Sequence, residues 1–368
     1  MNNLSEIIET RLIIRENIPL APLTTLKIGG PARYFVEAAS EAEVKAAVAH
    51  ASAQGLPLFV MGGGSNLVVA DEGWPGLVLR IAIRGAIKDV RARHTNFTAG
   101  AGEPWDSIVE HAVHENCGGI ECLSGIPGTV GGTPIQNVGA YGQEVAETIT
   151  SVRVLQIATG EILDLNNSDC AFGYRSSVFN GNQNSSQRGR SIVLKVTFQL
   201  ANNGRPRIEY ADLKRHFAGS SGTPTLRQVR EAVMAIRRTK AMLIVEGDED
   251  CRSAGSFFKN PVVSHEEADR VQAIAQQRAP EASMPRYRAE NNMVKLSAAW
   301  LVEQSGFHKG YTLGPVGISR KHSLAIVNRG GATARDILAL KNQIQQRVID
   351  VWGVQLQVEP VFVGIGFM

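Results

Sequence analysis

The chain of 368 residues lacks the marks of several large protein classes. Its four cysteines, Cys117, Cys122, Cys170 and Cys251, form no CxxC pair and no finger-like spacing. Reduced thiols and no metal site are therefore expected. No apolar run approaches the roughly 20 residues that a membrane-spanning helix needs. The first residues carry Glu6, Glu9, Arg11 and Arg15 among apolar ones, so no secretory h-region is expected and the reading is a cytoplasmic protein off the membrane. Long basic blocks are absent and the net charge is +3. Arg91-Ala92-Arg93 and Arg237-Arg238 read as solvated faces or small-anion contacts, not as a nucleic-acid stripe. There is no GxxxxGK(S/T). Gly62-x-Gly64 would need glycine where Leu67 stands, so both the Walker loop and the Rossmann fingerprint are missing.

What remains is a globular chain long enough for roughly two or three domains. Residues 34–38, 57–61 and 77–81 read as strands. Ser40 and Glu43 form a capping signal for a helix with Val44, Ala47 and Val48 inward. A second helix is expected at 103–116, with Trp105, Ile108 and Val109 buried. Strands follow at 151–157 and 191–200, separated by a loop at 180–190 without an aliphatic residue. Residues 218–224 read as a linker into a helix capped by Thr225 and Gln228. Helices near 264–277, 296–304 and 333–351 precede a strand-like end at 355–363.

Glycine is placed with purpose. Gly62-Gly63-Gly64-Ser65-Asn66 follows the strand at 57–61. A second cluster runs Gly128-Thr129-Val130-Gly131-Gly132 and continues through Gln136-Asn137 to Tyr141. Glycine runs let N–H groups converge on phosphate oxygens without Cβ clashes, so two such turns favour an extended anion such as a pyrophosphate. The segment Arg252-Ser253-Ala254-Gly255-Ser256-Phe257-Phe258-Lys259-Asn260-Pro261 packs a hydroxyl, an ammonium and a carboxamide around two aromatics. It reads either as a site wall or as a loop-to-strand junction with two Phe in the core.

These turns resemble the pyrophosphate-binding loops of vanillyl-alcohol-oxidase-type flavoproteins. With Phe172-Gly173-Tyr174-Arg175-Ser176-Ser177, residues 254–261 and Val358-Glu359-Pro360, the chain resembles the family of UDP-N-acetylenolpyruvoylglucosamine reductases from about Leu20 onward. Pro134-Ile135-Gln136-Asn137 and residues 207–213 resemble the subtype with a substrate-closing tyrosine loop. Many members carry proline where Val358 stands. Glu359 is still the only acid after Asp350, so the register holds.

The resemblance implies an α+β fold: a two-part FAD-binding domain of the vanillyl-alcohol-oxidase type at 1–75 and 76–240, a smaller α/β substrate-binding domain at 241–353, and a terminal strand at 354–368 returning to the FAD domains. It implies noncovalent FAD, held by Gly62, Gly63, Gly64, Ser65, Asn66, Gly128, Thr129, Gly131, Gly132, Gln136, Asn137 and Tyr141, with NADPH as co-substrate. The implied reaction is reduction of an enolpyruvyl ether on a UDP-sugar. Arg175 would grip the substrate carboxylate and Ser256 would protonate carbon. Glu359 would stabilise the enolate, which requires it to be protonated or hydrogen-bonded. Tyr174, Tyr210, Lys240 and Asn260 would contact substrate. His322 has two open readings, a substrate contact or a satisfied surface histidine. No metal, nucleic acid or membrane partner is implied, and a monomer is the working expectation. A flavin oxidase of the same fold is the alternative, although neither glycine turn contains a His or Cys for covalent attachment. A flavin- or sugar-nucleotide-binding protein without turnover would have no use for a proton donor.

Overall fold

The computed structural model describes residues 12–180 and 189–365. Glu6, Glu9 and Arg11, and most of the loop expected at 180–190, lie outside the described residues. The chain divides into two compact units, one comprising 1–18, 32–63 and 74–238, the other 19–31, 64–73 and 239–368.

Among the described residues the first unit is built on two larger sheets. In one, the strands Arg15–Pro19, Pro31–Ala38, Trp74–Ile81 and Leu58–Met61 lie in that order, the last three parallel. The helix Glu41–Ala53 starts where the Ser40 hydroxyl accepts the Glu43 N–H at 3.2 Å. It buries Val44, Ala47, Val48 and Ala51 along one helical stripe. The other sheet is antiparallel, in the order Ile162–Asn166, Ile149–Gln156, Ser191–Asn202, His94–Gly100 and Ala86–Val90. Its long central strand buries Ile192, Leu194, Val196, Phe198 and Leu200 at period two. The helix Trp105–His114 lays Trp105, Ile108 and Val109 into the same core as both sheets.

The second unit packs the helices His265–Arg278, Ala298–Gln304 and Ala334–Trp352 with short antiparallel sheets. Its core joins Phe257, Phe258, Leu301, Ile337, Leu340 and Trp352. Ala334–Trp352 carries a reciprocal Thr333/Asp336 cap and ends on Gly353 in the left-handed region. Of the strand-like end expected at 355–363, only Val361–Val363 is a regular strand, paired in parallel with Leu67–Val69. Among the described residues no helix is long and apolar enough to cross a membrane.

Candidate active site

The two glycine turns meet within the first unit. A Cβ added at Gly63 would lie 2.8 Å from Gly128 Cα, and one at Gly62 would lie 2.7 Å from Thr129 Oγ1. Backbone therefore passes backbone with no room for a side chain. Thr129 Oγ1 is buried and has no hydrogen-bond partner among the described residues. An orphaned buried hydroxyl is costly unless a ligand supplies its partner. A donor aimed into a side-chain-free cradle fits the pyrophosphate of FAD. The N–H groups of Gly131 and Gly132 donate to Ala101 O and Thr129 O, so these two glycines shape the turn and their N–H groups do not converge on an anion.

Both sides of Gly125, just before the second turn, are held from helices. Its N–H donates to Asp106 at 2.6 Å and its carbonyl accepts from Arg237 Nε at 3.2 Å. Arg230 pairs with both Asp106 oxygens at 2.7 and 2.8 Å. Arg237 is expected on a solvated face or at a small-anion contact, and the first of these does not hold. The side chain is buried instead, and burial lowers its pKa while the adjacent Tyr141 opposes that shift. Its place follows from helical period: with Val229 and Val233, position 237 falls on the buried stripe of Leu226–Thr239.

Burial works to raise the Asp106 pKa, but the Arg230 hydrogen bonds and the Gly125 N–H outweigh it and hold the carboxyl below its ordinary 3.8. A depressed carboxylate contributes stability above its unfolded pKa, and that contribution is lost as pH falls through the folded value. Asp106→Asn should therefore cost roughly 1–3 kcal/mol at pH 7, the scale of hydrogen bonds to a charged group. The gap to wild type should narrow as acid is added below 3.8. Denaturant unfolding at neutral pH and at about pH 3 measures both, and an equal gap at the two pH values contradicts the assignment.

Arg175 sits in a tight turn closed by the Gly173/Ser176 bridge, with φ at 53°. Its guanidinium donates to Gly139 O at 2.9 Å and lies over the Tyr174 ring. Asn137 is buried. Its amide donates to Glu144 at 2.7 Å and Gly173 O at 3.1 Å, and accepts from Ala146 N at 3.1 Å. The residue expected at the cofactor thus ties the Arg175 turn to the loop 137–146.

Tyr210 is 45% exposed and stacks edge-on against Tyr141 at 5.3 Å. The approach to it is anchored. The Arg207 N–H donates to the fully buried Glu121 at 3.0 Å, and the Arg207 guanidinium reaches Gly142 O and Glu147. Burial pushes the Cys122 thiol pKa up, so the thiol stays protonated and donates to Arg207 O at 3.3 Å. The chain leading into Tyr210 is therefore held at Arg207. Of the anchors Glu121, Arg207 and Arg237, Glu121 has no role assigned from the sequence. The only signal for Glu121 was a carboxylate enclosed by Ile120, Cys122 and Leu123.

In the second unit the segment 252–261 combines buried aromatics with partly buried polar side chains. Phe257 and Phe258 are core residues, while Ser256, Lys259 and Asn260 are only partly buried. An added Cβ at Gly255 would meet nothing nearer than Met242 Cε at 4.0 Å, but φ is 75°, so this glycine serves the turn. Ser256 Oγ lies 3.0 Å from His322 Nε2. The Glu359 N–H donates to Phe257 O at 2.9 Å, and Glu359 O accepts from Asn66 Nδ2 at 3.2 Å. A hydroxyl and a carboxyl are thereby set on neighbouring chain segments, beside the residue that ends the first glycine turn. Ser65 O accepts from Thr25 Oγ1. Asn260 Oδ1 caps the helix Ala298–Gln304 by accepting the Ala298 N–H at 2.9 Å. Lys240 lies just beyond the helix Leu226–Thr239.

Residues 32–166, which contain both glycine turns, match the FAD binding domain family. With the cradle and its orphaned hydroxyl, the class is an FAD-dependent oxidoreductase. Residues 247–363 match the C-terminal domain of UDP-N-acetylenolpyruvoylglucosamine reductase. The reductase of that name from Thermobifida fusca is 46% identical over 95% of this chain and 98% of its own length. That from Mycobacterium tuberculosis is 43% identical, covering 95% of each chain. The crystal structure of the enzyme from Thermus caldophilus superposes with a TM-score of 0.61 at 25% identity, covering 96% of this chain and 99% of that one. The chain belongs to the UDP-N-acetylenolpyruvoylglucosamine reductase family.

Proposed function

We propose that the chain reduces UDP-N-acetylglucosamine enolpyruvate to UDP-N-acetylmuramate with NADPH, a step of peptidoglycan precursor synthesis, as a cytoplasmic monomer. The observation that carries the reading is the stitching of the Glu359 backbone between Phe257 and Asn66, which brings the segment bearing Glu359 alongside the segment bearing Ser256. Gly62, Gly63, Gly128 and Thr129 would hold noncovalent FAD at its pyrophosphate, and the cofactor would supply the two-electron reduction of the enolpyruvyl group. The residues answer the charge and proton demands of that reduction. Negative charge spreads into the substrate carboxylate, where the always-charged Arg175 guanidinium stabilises it with paired donors. The Ser256 Oγ–H bond breaks as a C–H bond forms at the enolate carbon. Glu359 donates a hydrogen bond to the developing enolate. Lys240 sets a point charge on the diphosphate, and Tyr174, Tyr210 and Asn260 hold the sugar nucleotide.

The test is a visible spectrum of the purified protein. Flavin bands should bleach with NADPH and recover on addition of UDP-N-acetylglucosamine enolpyruvate. Acid precipitation should release all the yellow colour to the supernatant. Colour retained in the pellet, with bands restored only by oxygen, would instead establish the oxidase alternative.

A further inference from the structure

We propose that His322 positions Ser256 and restores its proton after each turnover; this rests on the reductase reading above. The contact is direct, Ser256 Oγ to His322 Nε2 at 3.0 Å, with both side chains partly buried. It is also clamped from both sides. The turn Glu249–Cys251, a few residues before Ser256, grips the segment that carries His322. The carboxylate of Asp250, 1% exposed, accepts the Arg320 N–H and Nε–H at 2.9 Å each. Asp248 pairs with Lys321 Nζ at 2.6 Å. Beyond the contact, the Phe257 N–H donates to Leu324 O at 2.8 Å, Ser253 bridges Val327, and the Asn328 N–H donates to Arg252 O at 3.0 Å. The segments 248–257 and 320–328 are thus held together on both sides of the Ser256–His322 contact. Such over-determination is what a positioned proton path requires.

The chemistry supplies the reason for the pairing. Delivery of the Ser256 proton to carbon leaves an alkoxide, a strong base that cannot persist through the next cycle. His322 closes the balance. Its Nε2–H bond breaks as the Ser256 Oγ–H bond re-forms, and Nε2 then regains a proton from solvent, so the ring ends each turnover as it began. One solvent proton is consumed per enolpyruvyl group reduced, as the overall reaction demands, with no further oxidant or reductant. A glutamine at 322 could keep a hydrogen bond to Oγ but could not exchange a proton in this way.

The experiment uses the full-length FAD-loaded protein with His322→Gln and His322→Ala, and Ser256→Ala as reference. Folding is checked by the flavin spectrum. Binding of the enolpyruvyl substrate to oxidised protein is measured by calorimetry. Both His322 variants should bind substrate as wild type does and be reduced normally by NADPH. Substrate-dependent reoxidation should slow on the order of 10²-fold, the low end for a proton-transfer group. Added imidazole should restore the rate of His322→Ala in proportion to its concentration, and should not rescue Ser256→Ala. Weakened substrate binding with a normal rate at saturation would make His322 a substrate contact and overturn the proposal. Slowing without imidazole rescue would reduce it to a packing role and overturn it equally. A wild-type protein that the enolpyruvyl substrate never reoxidises would instead remove the reductase reading itself.

Discussion

Ser256→Ala is expected to leave flavin reduction by NADPH intact and to slow reoxidation by the enolpyruvyl substrate by about 10²–10⁴-fold, the usual cost of removing a positioned acid. The separation is the informative part. Ser256 sits on a segment whose neighbours Phe257 and Phe258 are buried in the second unit's core, and the backbone on either side is hydrogen-bonded to 324 and 327–328. Alanine removes only the hydroxyl and its bond to His322, so the segment keeps its course. The flavin spectrum and the NADPH half-reaction then report an undisturbed cofactor. Stopped-flow measurement of the two half-reactions gives the result directly. Equal loss in both would show that the serine supports the cofactor or the fold and that the proton comes from elsewhere.

Elements with a strong local period were legible in the sequence. The helices at 41–53, 105–114 and 334–352 and the central strand Ser191–Asn202 declare their buried faces through spacing, and the first and last of these helices carry caps as well. The glycine turns were legible as positions, but their mutual contact was not, because residues 62 and 128 are brought together only by tertiary structure. The same applies to the division of the chain into units. Residues 19–31 and 64–73 group with the C-terminal half, and no shift in composition marks them. At the carboxyl end, the apolar run at 355–363 suggested a continuous strand. Residues 357–359 pair with 257–259 through one isolated bridge and two flanking bonds, a contact too short to give a regular ladder. Ionic anchors were the least legible. Asp106 and Arg230 are 124 residues apart, and neither sits in a motif. The residues of the candidate site were found through motif resemblance. The Ser256–His322 contact joins residues 66 apart, so a motif on either segment alone could not reveal it.

Glu359 supplies the second large effect. Its backbone is fixed at the N–H by Phe257 O and at the carbonyl by Asn66 Nδ2, and the Val361 N–H returns to Asn66 O at 2.9 Å. The chain there has no slack with which to advance a shorter side chain. Glu359→Asp withdraws the carboxyl by one methylene, and a misplacement of about 1 Å can cost 10²-fold. Glu359→Gln keeps the reach and offers an N–H donor in place of the acid O–H. If Glu359 donates a hydrogen bond to the developing enolate, Gln should therefore outperform Asp in single-turnover reoxidation by the enolpyruvyl substrate. A role that depends on a charged carboxylate reverses the order, because Asp keeps the charge and Gln removes it. The anchored backbone makes the comparison clean, since neither variant can recover its loss by sliding. Asp outperforming Gln would sink the donor assignment for Glu359 and leave the proposed reduction and the Ser256 role standing.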